Sequence, residues 1–293
     1  MFLFGMDNIV LRFTFAQRII ILLISLFIFS LIGSVFVALL TRNGITTESL
    51  RLATIVQDCV IFIAPAIATA VLISVIPAGF LCINSGFRFP MFLLALTALI
   101  VSMPVMNLIV NLNEQLSLPE ALSGLEEWMR QAETKAQDSV KILLGTSSVL
   151  SLIINLLIVG VLAGVSEEIF FRGALQRVLA TYSINPHCAI WLSALIFSAF
   201  HLQFFGFFPR LLLGAYFGYL LYWSKSLWLP IIAHTLNNSL VVFTMWLGEV
   251  KGDKTMEAID NWGMDSPTLI LASIIMTFFT LRYMYRYRRN EKD

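Results

Sequence analysis

Five ionisable residues interrupt otherwise apolar stretches of the sequence, and their types are those that can activate water. They are Glu167, Glu168, Arg172, His201 and His234. A charged side chain within the hydrocarbon region of a membrane is costly, so such residues usually serve a function. The chain has three histidines, and two of them belong to this set. The pattern predicts a buried site that carries out a hydrolytic reaction.

The two adjacent glutamates are predicted to play different parts. Glu168 and Arg172 are four residues apart, so on a helix they share a face and can form an ion pair. Glu167 is rotated by about 100° from Glu168 and can point into a cavity. The alternative, a solvated helix end, is disfavoured because His201 and His234 are predicted well inside their own spans. Glu167 must then lie at the same depth.

Two further pairs are spaced by one helical turn, namely Phe197 with His201 and His234 with Asn238. A carboxylate and a histidine can position a water molecule and take its proton. A second histidine and an amide can stabilise the oxyanion that forms when water attacks a carbonyl group. Glutamate with two histidines is also a possible zinc ligand set with an open fourth position. Spacing alone does not separate these mechanisms, although the HExxH pattern of zinc proteases is absent from the sequence.

The ordered motifs resemble those of the CPBP family, which comprises the CAAX proteases and bacteriocin-processing proteins and includes the type II CAAX prenyl endopeptidases. The family pattern EExxxR is matched from Glu167 to Arg172, FxxxH from Phe197 to His201, and HxxxN from His234 to Asn238. Each motif is weak alone, but the ordered set inside apolar spans is specific. The motif region covers roughly residues 150–245.

The resemblance implies a role for each motif residue. Glu167 would be the catalytic glutamate and would activate water together with His201, while His234 and Asn238 would form the oxyanion site. Glu168, Arg172 and Phe197 would support them. The resemblance favours a mechanism without a metal or other cofactor; if zinc is used, Glu167, His201 and His234 would bind it. It also implies an all-helical fold whose cavity is reached from the membrane and the cytoplasmic side.

The composition requires these residues to be held by membrane helices. Of the 293 residues, 58% are hydrophobic and 13% are charged, about half the charged share of a soluble domain. Apolar runs reach the length of about 20 residues that crosses a bilayer. We therefore predict an all-α polytopic membrane protein with about eight transmembrane helices and an intramembrane catalytic cavity. The predicted helices are 18–40, 56–83, 89–112, 150–180, 187–207, 209–224, 226–247 and 266–285.

Charge predicts the orientation of these helices. Two hydrophilic segments, 113–141 and 248–265, each carry three more acidic than basic residues, whereas the C-terminal tail is basic. The positive-inside rule then places both termini in the cytoplasm and both acidic segments outside. Residues 125–137 are predicted to form a short surface helix. Pro65, Pro77 and Pro104 are predicted to kink the spans that contain them.

Three regions follow from this layout. Residues 1–149 contain N-terminal transmembrane helices and the first acidic loop, 150–247 form the protease-like core, and 248–293 hold the second loop, the last span and the tail. The net charge of +1 gives no reason to expect nucleic acid, so the predicted partners are membrane lipid and a membrane-associated protein or peptide substrate.

The compact chain with short loops favours the plasma (inner) membrane of a bacterium, where a peptide or membrane protein is the expected substrate of an endopeptidase. The alternatives are a non-proteolytic scaffold or bacteriocin-immunity protein that retains the fold, and a transporter, which would need a path through both leaflets. The intact motif set argues against a scaffold, which has no need of buried charges.

Overall fold

The protein is a bundle of apolar helices joined by short connections. A computed structural model describes residues 11–181, 185–252, 258 and 261–289. In that part the only β-structure is an isolated bridge between Leu11 and Ser74. The principal helices are α1 (Phe15–Thr41), α2 (Thr47–Ile73), α3 (Phe89–Glu114), α4 (Ser123–Leu144), α5 (Val149–Ala180), α6 (Pro186–Phe200), α7 (Phe207–Ser224), α8 (Trp228–Lys251) and α9 (Pro267–Arg289).

Seven helices in the described residues are long and apolar enough to cross a membrane, and α6 is a shorter apolar helix. The prediction of an all-α polytopic membrane protein is therefore confirmed. The fifteen residues of α6 span about 22 Å at 1.5 Å per residue, less than the hydrocarbon core of about 30 Å. The sequence prediction extended this helix to residue 207.

The end of α6 corrects the predicted position of His201. Phe200 is the last helical residue, and His201 caps the helix rather than lying well inside it. Leu202 adopts a left-handed conformation with φ of 54°, which stops the helix. A short 3₁₀ turn, Phe204–Gly206, then leads into α7. The apolar sequence continues through this break, so hydropathy alone did not reveal it.

The second span also begins and ends earlier than the predicted 56–83. Thr46 caps its start through a reciprocal bond with Ser49, and Ser74 ends it in an extended conformation. Pro77 opens a separate single turn, Pro77–Phe80, so the prediction that it kinks a span is wrong. Pro65 lies in α2 and Pro104 lies inside α3, as predicted.

The first acidic segment contains a longer helix than predicted, because α4 covers Ser123–Leu144 instead of 125–137. In the second acidic segment Asp253, Lys254, Glu257 and Asp260 lie outside the described residues, as do Glu291, Lys292 and Asp293 of the tail. The division into 1–149, 150–247 and 248–293 stays a prediction.

The long helix α5 is the central element of the bundle, and it includes two π-helical stretches, Leu156–Leu162 and Ile169–Gln176. A third π-helical stretch, Gln57–Ile63, lies in α2. A π-helical turn leaves carbonyl groups free of their usual partners, and such turns are frequent at functional sites. Phe171 illustrates this, since its carbonyl accepts a hydrogen bond from Ser193 of α6 at 2.9 Å.

Candidate active site

Close packing of α5 against α8 brings the first and third motifs together. A Cβ atom added at Gly160 would lie 2.5 Å from Ser239 Oγ, and one added at Gly164 would lie 3.0 Å from the backbone nitrogen of Thr235. Side chains larger than hydrogen at these positions would force the helices apart. The two glycines, one helical turn apart, therefore set the distance at which the glutamates of α5 face the histidine of α8.

Glu168 is the centre of a buried charged cluster. Its Oε1 accepts a bond from Arg172 Nη1 at 2.6 Å and lies 2.8 Å from His234 Nδ1. Glu168 and Arg172 are both fully buried. The predicted pair is therefore present, and it also holds His234. Because removing an ion from water is expensive, the arginine and the glutamate depend on each other.

Arg172 is held in one orientation by contacts with α6 and α7. Its Nη2 donates to the carbonyl oxygen of Gly214 in α7 at 3.0 Å. Its guanidinium lies 4.4 Å above the ring of Phe197. The same ring packs edge-on against His201, with centroids 5.0 Å apart. Phe197 thus connects the ion pair to the second histidine.

Glu167 points away from this cluster into a cavity, as its helical offset predicts. Its side chain is 12% exposed, and its Oε2 lies 3.7 Å from His234 Nε2. His234 therefore has one ring nitrogen against each glutamate. The Nδ1 nitrogen donates to the Glu168 carboxylate, which leaves Nε2 directed at the cavity.

His201 and Asn238 complete the polar wall. His201 Nδ1 donates to the carbonyl oxygen of Phe197 at 2.9 Å, so the lone pair of the neutral ring lies on Nε2. Asn238 Nδ2 donates to the carbonyl oxygen of Val159 at 3.3 Å, within the first π-helical stretch of α5. A primary amide carries two N–H groups, so a second donor remains.

The four predicted catalytic side chains line one cavity of about 430 Å³. It reaches the surface beside Glu114, which is exposed at the end of α3. A second cavity of about 280 Å³ between α3 and α8 shares Leu213, Asn237 and Val241 with it. The lining includes the lipid-facing side chain of Val241. The site is therefore adjacent both to the end of the bundle and to the membrane.

Sequence reasoning missed three polar groups around this cavity. Arg210 of α7 and Glu133 of α4 line it opposite the motif residues. Gln203 joins them, since its amide accepts from Arg210 at 2.8 Å and donates to Glu133 at 3.5 Å. Arg210 could have been identified because it is a charged residue within the apolar sequence FFPRLLL. Nothing in the local sequence indicated that α4 would contribute Glu133.

A buried carboxylate behind Glu167 was also missed. Asp58 of α2 is 1% exposed, and its Oδ1 accepts a bond from Ser166 Oγ at 2.9 Å. Ser166 directly precedes Glu167 in the chain. The signal in the sequence was an acidic residue within an apolar span, which is as costly to bury as the glutamate pair.

The possible zinc ligands do not all lie close together in this cavity. Among the described residues, no three His, Cys, Asp or Glu side chains converge closely enough to hold a metal ion. Glu167, His201 and His234 line one cavity without forming such a cluster. The described residues, as they are arranged, do not fit a metal site.

Part of the chain is similar to a known protein family. Residues 149–240, about a third of the chain, match the family model described as type II CAAX prenyl endopeptidase Rce1-like. This segment contains all three motifs, and the match confirms the resemblance predicted from them. No curated protein and no solved structure matches the chain.

Proposed function

We propose that this integral membrane protein is an intramembrane endopeptidase that hydrolyses a peptide bond of a membrane-associated protein or peptide. The observation that carries the proposal is the convergence of Glu167, His201, His234 and Asn238 on one cavity between membrane helices. The similarity of residues 149–240 to a protease family supports the same reaction class.

Water activation is assigned to Glu167 and His201. The Glu167 carboxylate accepts one proton of a water molecule, while the Nε2 lone pair of His201 accepts a hydrogen bond from the other. The oxygen attacks the carbonyl carbon of the substrate and forms a tetrahedral intermediate. General-base assistance of this kind typically contributes 10²–10⁴-fold to a rate, as an order of magnitude.

Stabilisation of the oxyanion of that intermediate is assigned to His234 and Asn238, which would donate hydrogen bonds to it. In this role His234 donates from Nε2 to the oxyanion, while its Nδ1–H keeps its hydrogen bond to the Glu168 carboxylate. Asn238 offers the N–H that Val159 does not use. When the intermediate collapses, the C–N bond breaks and Glu167 returns its proton to the leaving amine. The products are a carboxylic acid and an amine.

Access from the membrane is supported by the cavity between α3 and α8, which adjoins the polar cavity at Asn237 and Val241. An extended apolar segment of a substrate fits this route better than a folded soluble domain does. We assign the protein to a bacterial plasma membrane and its substrate to peptides or membrane proteins of that membrane.

The test is a comparison of protein termini in membranes from cells that contain the wild type, Glu167→Gln or Glu127→Gln. Glu127 is an exposed residue of α4 and serves as the matched control. We expect uncut precursors to accumulate only with Glu167→Gln. Identical termini in all three membranes, together with unchanged cellular function, would support the scaffold alternative instead. Metal analysis of the active purified protein tests the metal-free assignment.

A further inference from the structure

A third cavity lies between α3, α7 and α9. Its volume is about 520 Å³, and its walls are mainly apolar. Leu99 and Met106 of α3, Leu212 and Tyr216 of α7, and Leu281 of α9 contribute to it. We call this cavity the α9 groove. A protein surface of this kind, facing hydrocarbon, is suited to an acyl chain.

The α9 groove is separate from the candidate active site. Leu213 is the single residue that lines both cavities, and none of the predicted catalytic residues borders the groove. A ligand in the groove would therefore not replace a substrate at Glu167. The groove does adjoin the cavity proposed as the access route, since Leu99, Ser102, Met106 and Leu213 line both.

One end of the groove carries polar and cationic groups. Arg282 and Tyr285 of α9 lie on its rim and are exposed. Arg286 is one turn beyond Arg282 and is also exposed. Within the described residues, neither arginine forms an ion pair with an acidic side chain. Two adjacent guanidinium groups favour a phosphate ligand.

Two neighbouring residues reinforce this polar end. Trp223 lines the groove and is 8% exposed, yet its indole N–H has no hydrogen-bond partner. Buried polar groups normally have a partner, and this N–H is itself inaccessible, so it would bond to a lipid only after a small shift of the ring. The guanidinium of Arg288 lies 3.8 Å above the ring of Tyr222, which fixes a third positive charge near the ends of α7 and α9.

We propose that the α9 groove binds one anionic phospholipid. One acyl chain lies along the apolar wall between α3 and α7, and the phosphate group contacts Arg282 and Arg286. The excess of positive charge at the rim selects an anionic head group over a zwitterionic one, since a net negative lipid gains from every nearby arginine. Bound lipid would also fill the space between α9 and α7.

The test measures lipid binding to the purified protein by native mass spectrometry. Phosphatidylglycerol and phosphatidylcholine with identical acyl chains are titrated into the wild type and into the Arg282→Gln/Arg286→Gln variant. We expect the wild type to prefer phosphatidylglycerol at least tenfold and the variant to lose that preference. Arg42→Gln, an exposed arginine after α1, is the control and should bind like the wild type.

A second variant tests the groove itself. Ser102→Trp, on the α3 wall, should reduce the affinity for both lipids, because the added side chain occupies the path of the acyl chain. The proposal is overturned if the wild type shows no preference between the lipids, or if Ser102→Trp binds both unchanged. Glu167→Gln should bind phosphatidylglycerol like the wild type. The lipid proposal and the protease proposal can therefore be confirmed or rejected independently of each other.

Discussion

At the scale of single residues, Glu168 explains how the site is held together. It accepts hydrogen bonds from Arg172 and His234, so one buried carboxylate orients the first and third motifs. The sequence predicted its pairing with Arg172, because a spacing of four residues places both on one helix face. It could not predict the contact with His234, since that contact depends on how α8 is positioned along α5 in the folded bundle.

Removal of the arginine tests this arrangement. Arg172→Met leaves the carboxylate of Glu168 buried without its cation, which typically costs about 3–5 kcal/mol. We expect a marked fall in the melting temperature of the purified protein in detergent. The double variant Glu168→Gln/Arg172→Met should recover part of that loss. The pair Glu126–Arg130, whose arginine is exposed, gives the control, because Arg130→Met should change stability by about 1 kcal/mol or less.

The proposed oxyanion role of Asn238 makes a kinetic prediction. Asn238→Ala should lower kcat by about 10²–10³-fold and change KM little, because the lost bond forms mainly in the transition state. The measurement is steady-state cleavage of a precursor identified by the terminus comparison. Asn237→Ala is the comparison: Asn237 lines the same cavity and donates to Asn238 Oδ1 at 3.4 Å, so we expect a smaller loss than in Asn238→Ala. An equal loss in both variants would argue against a specific role for Asn238.

At the scale of helices, the contact between α5 and α8 determines whether the site assembles. Gly164→Leu would place a side chain against the backbone of Thr235, one residue after His234. Overpacking of this kind costs about 1–3 kcal/mol and should move His234 away from Glu168. We expect activity to be lost while the protein still inserts into membranes.

A glycine in open space provides the comparison for that variant. A Cβ atom at Gly124, in the first turn of α4, would meet no atom within 4 Å. Gly124→Leu should therefore keep full activity, measured by precursor cleavage beside the melting temperature of each variant. Equal activity of Gly164→Leu and the wild type would show that the separation of α5 and α8 is not critical.

The helices themselves were predictable from hydropathy, and their ends were not. The predicted 150–180 agrees with Val149–Ala180 because the requirement that Glu167 reach the depth of the histidines fixed that span. The end of α6 depends on the left-handed Leu202, and the end of α2 depends on Ser74 pairing with Leu11. Both are local or tertiary features that apolar composition does not encode.

At the scale of the whole molecule, two sequence-based expectations about orientation conflict. The cavity proposed as the active site includes Arg210 near the start of α7 and Glu133 of the acidic segment, whereas Lys225 follows the other end of α7. If the positive-inside rule holds, the Lys225 end of α7 is cytoplasmic. The cavity, at the opposite end of α7, then opens toward the outer side of the membrane. The resemblance implied cytoplasmic access, and both cannot be true of this arrangement.

Cysteine labelling decides between them. In a variant without Cys59, Cys82 and Cys188, a cysteine is placed at Ser117, between α3 and α4, or at Asn84, before α3; both positions are exposed. The charge pattern predicts that Ser117→Cys reacts with an impermeant maleimide in intact cells and that Asn84→Cys reacts only after lysis. The reverse result would support cytoplasmic access. Labelling of both positions from the same side would contradict an α3 that spans the membrane.

The most direct test of the proposed reaction is cleavage by purified protein in proteoliposomes. The substrate is a precursor that accumulates with Glu167→Gln, and wild type, Glu167→Gln and Glu127→Gln are compared at equal amounts of folded protein. We predict cleavage at one site by the wild type and Glu127→Gln, and a rate lower by at least about 10²-fold with Glu167→Gln. Cleavage by Glu167→Gln at the wild-type rate would contradict the assignment of Glu167 and the mechanism built on it.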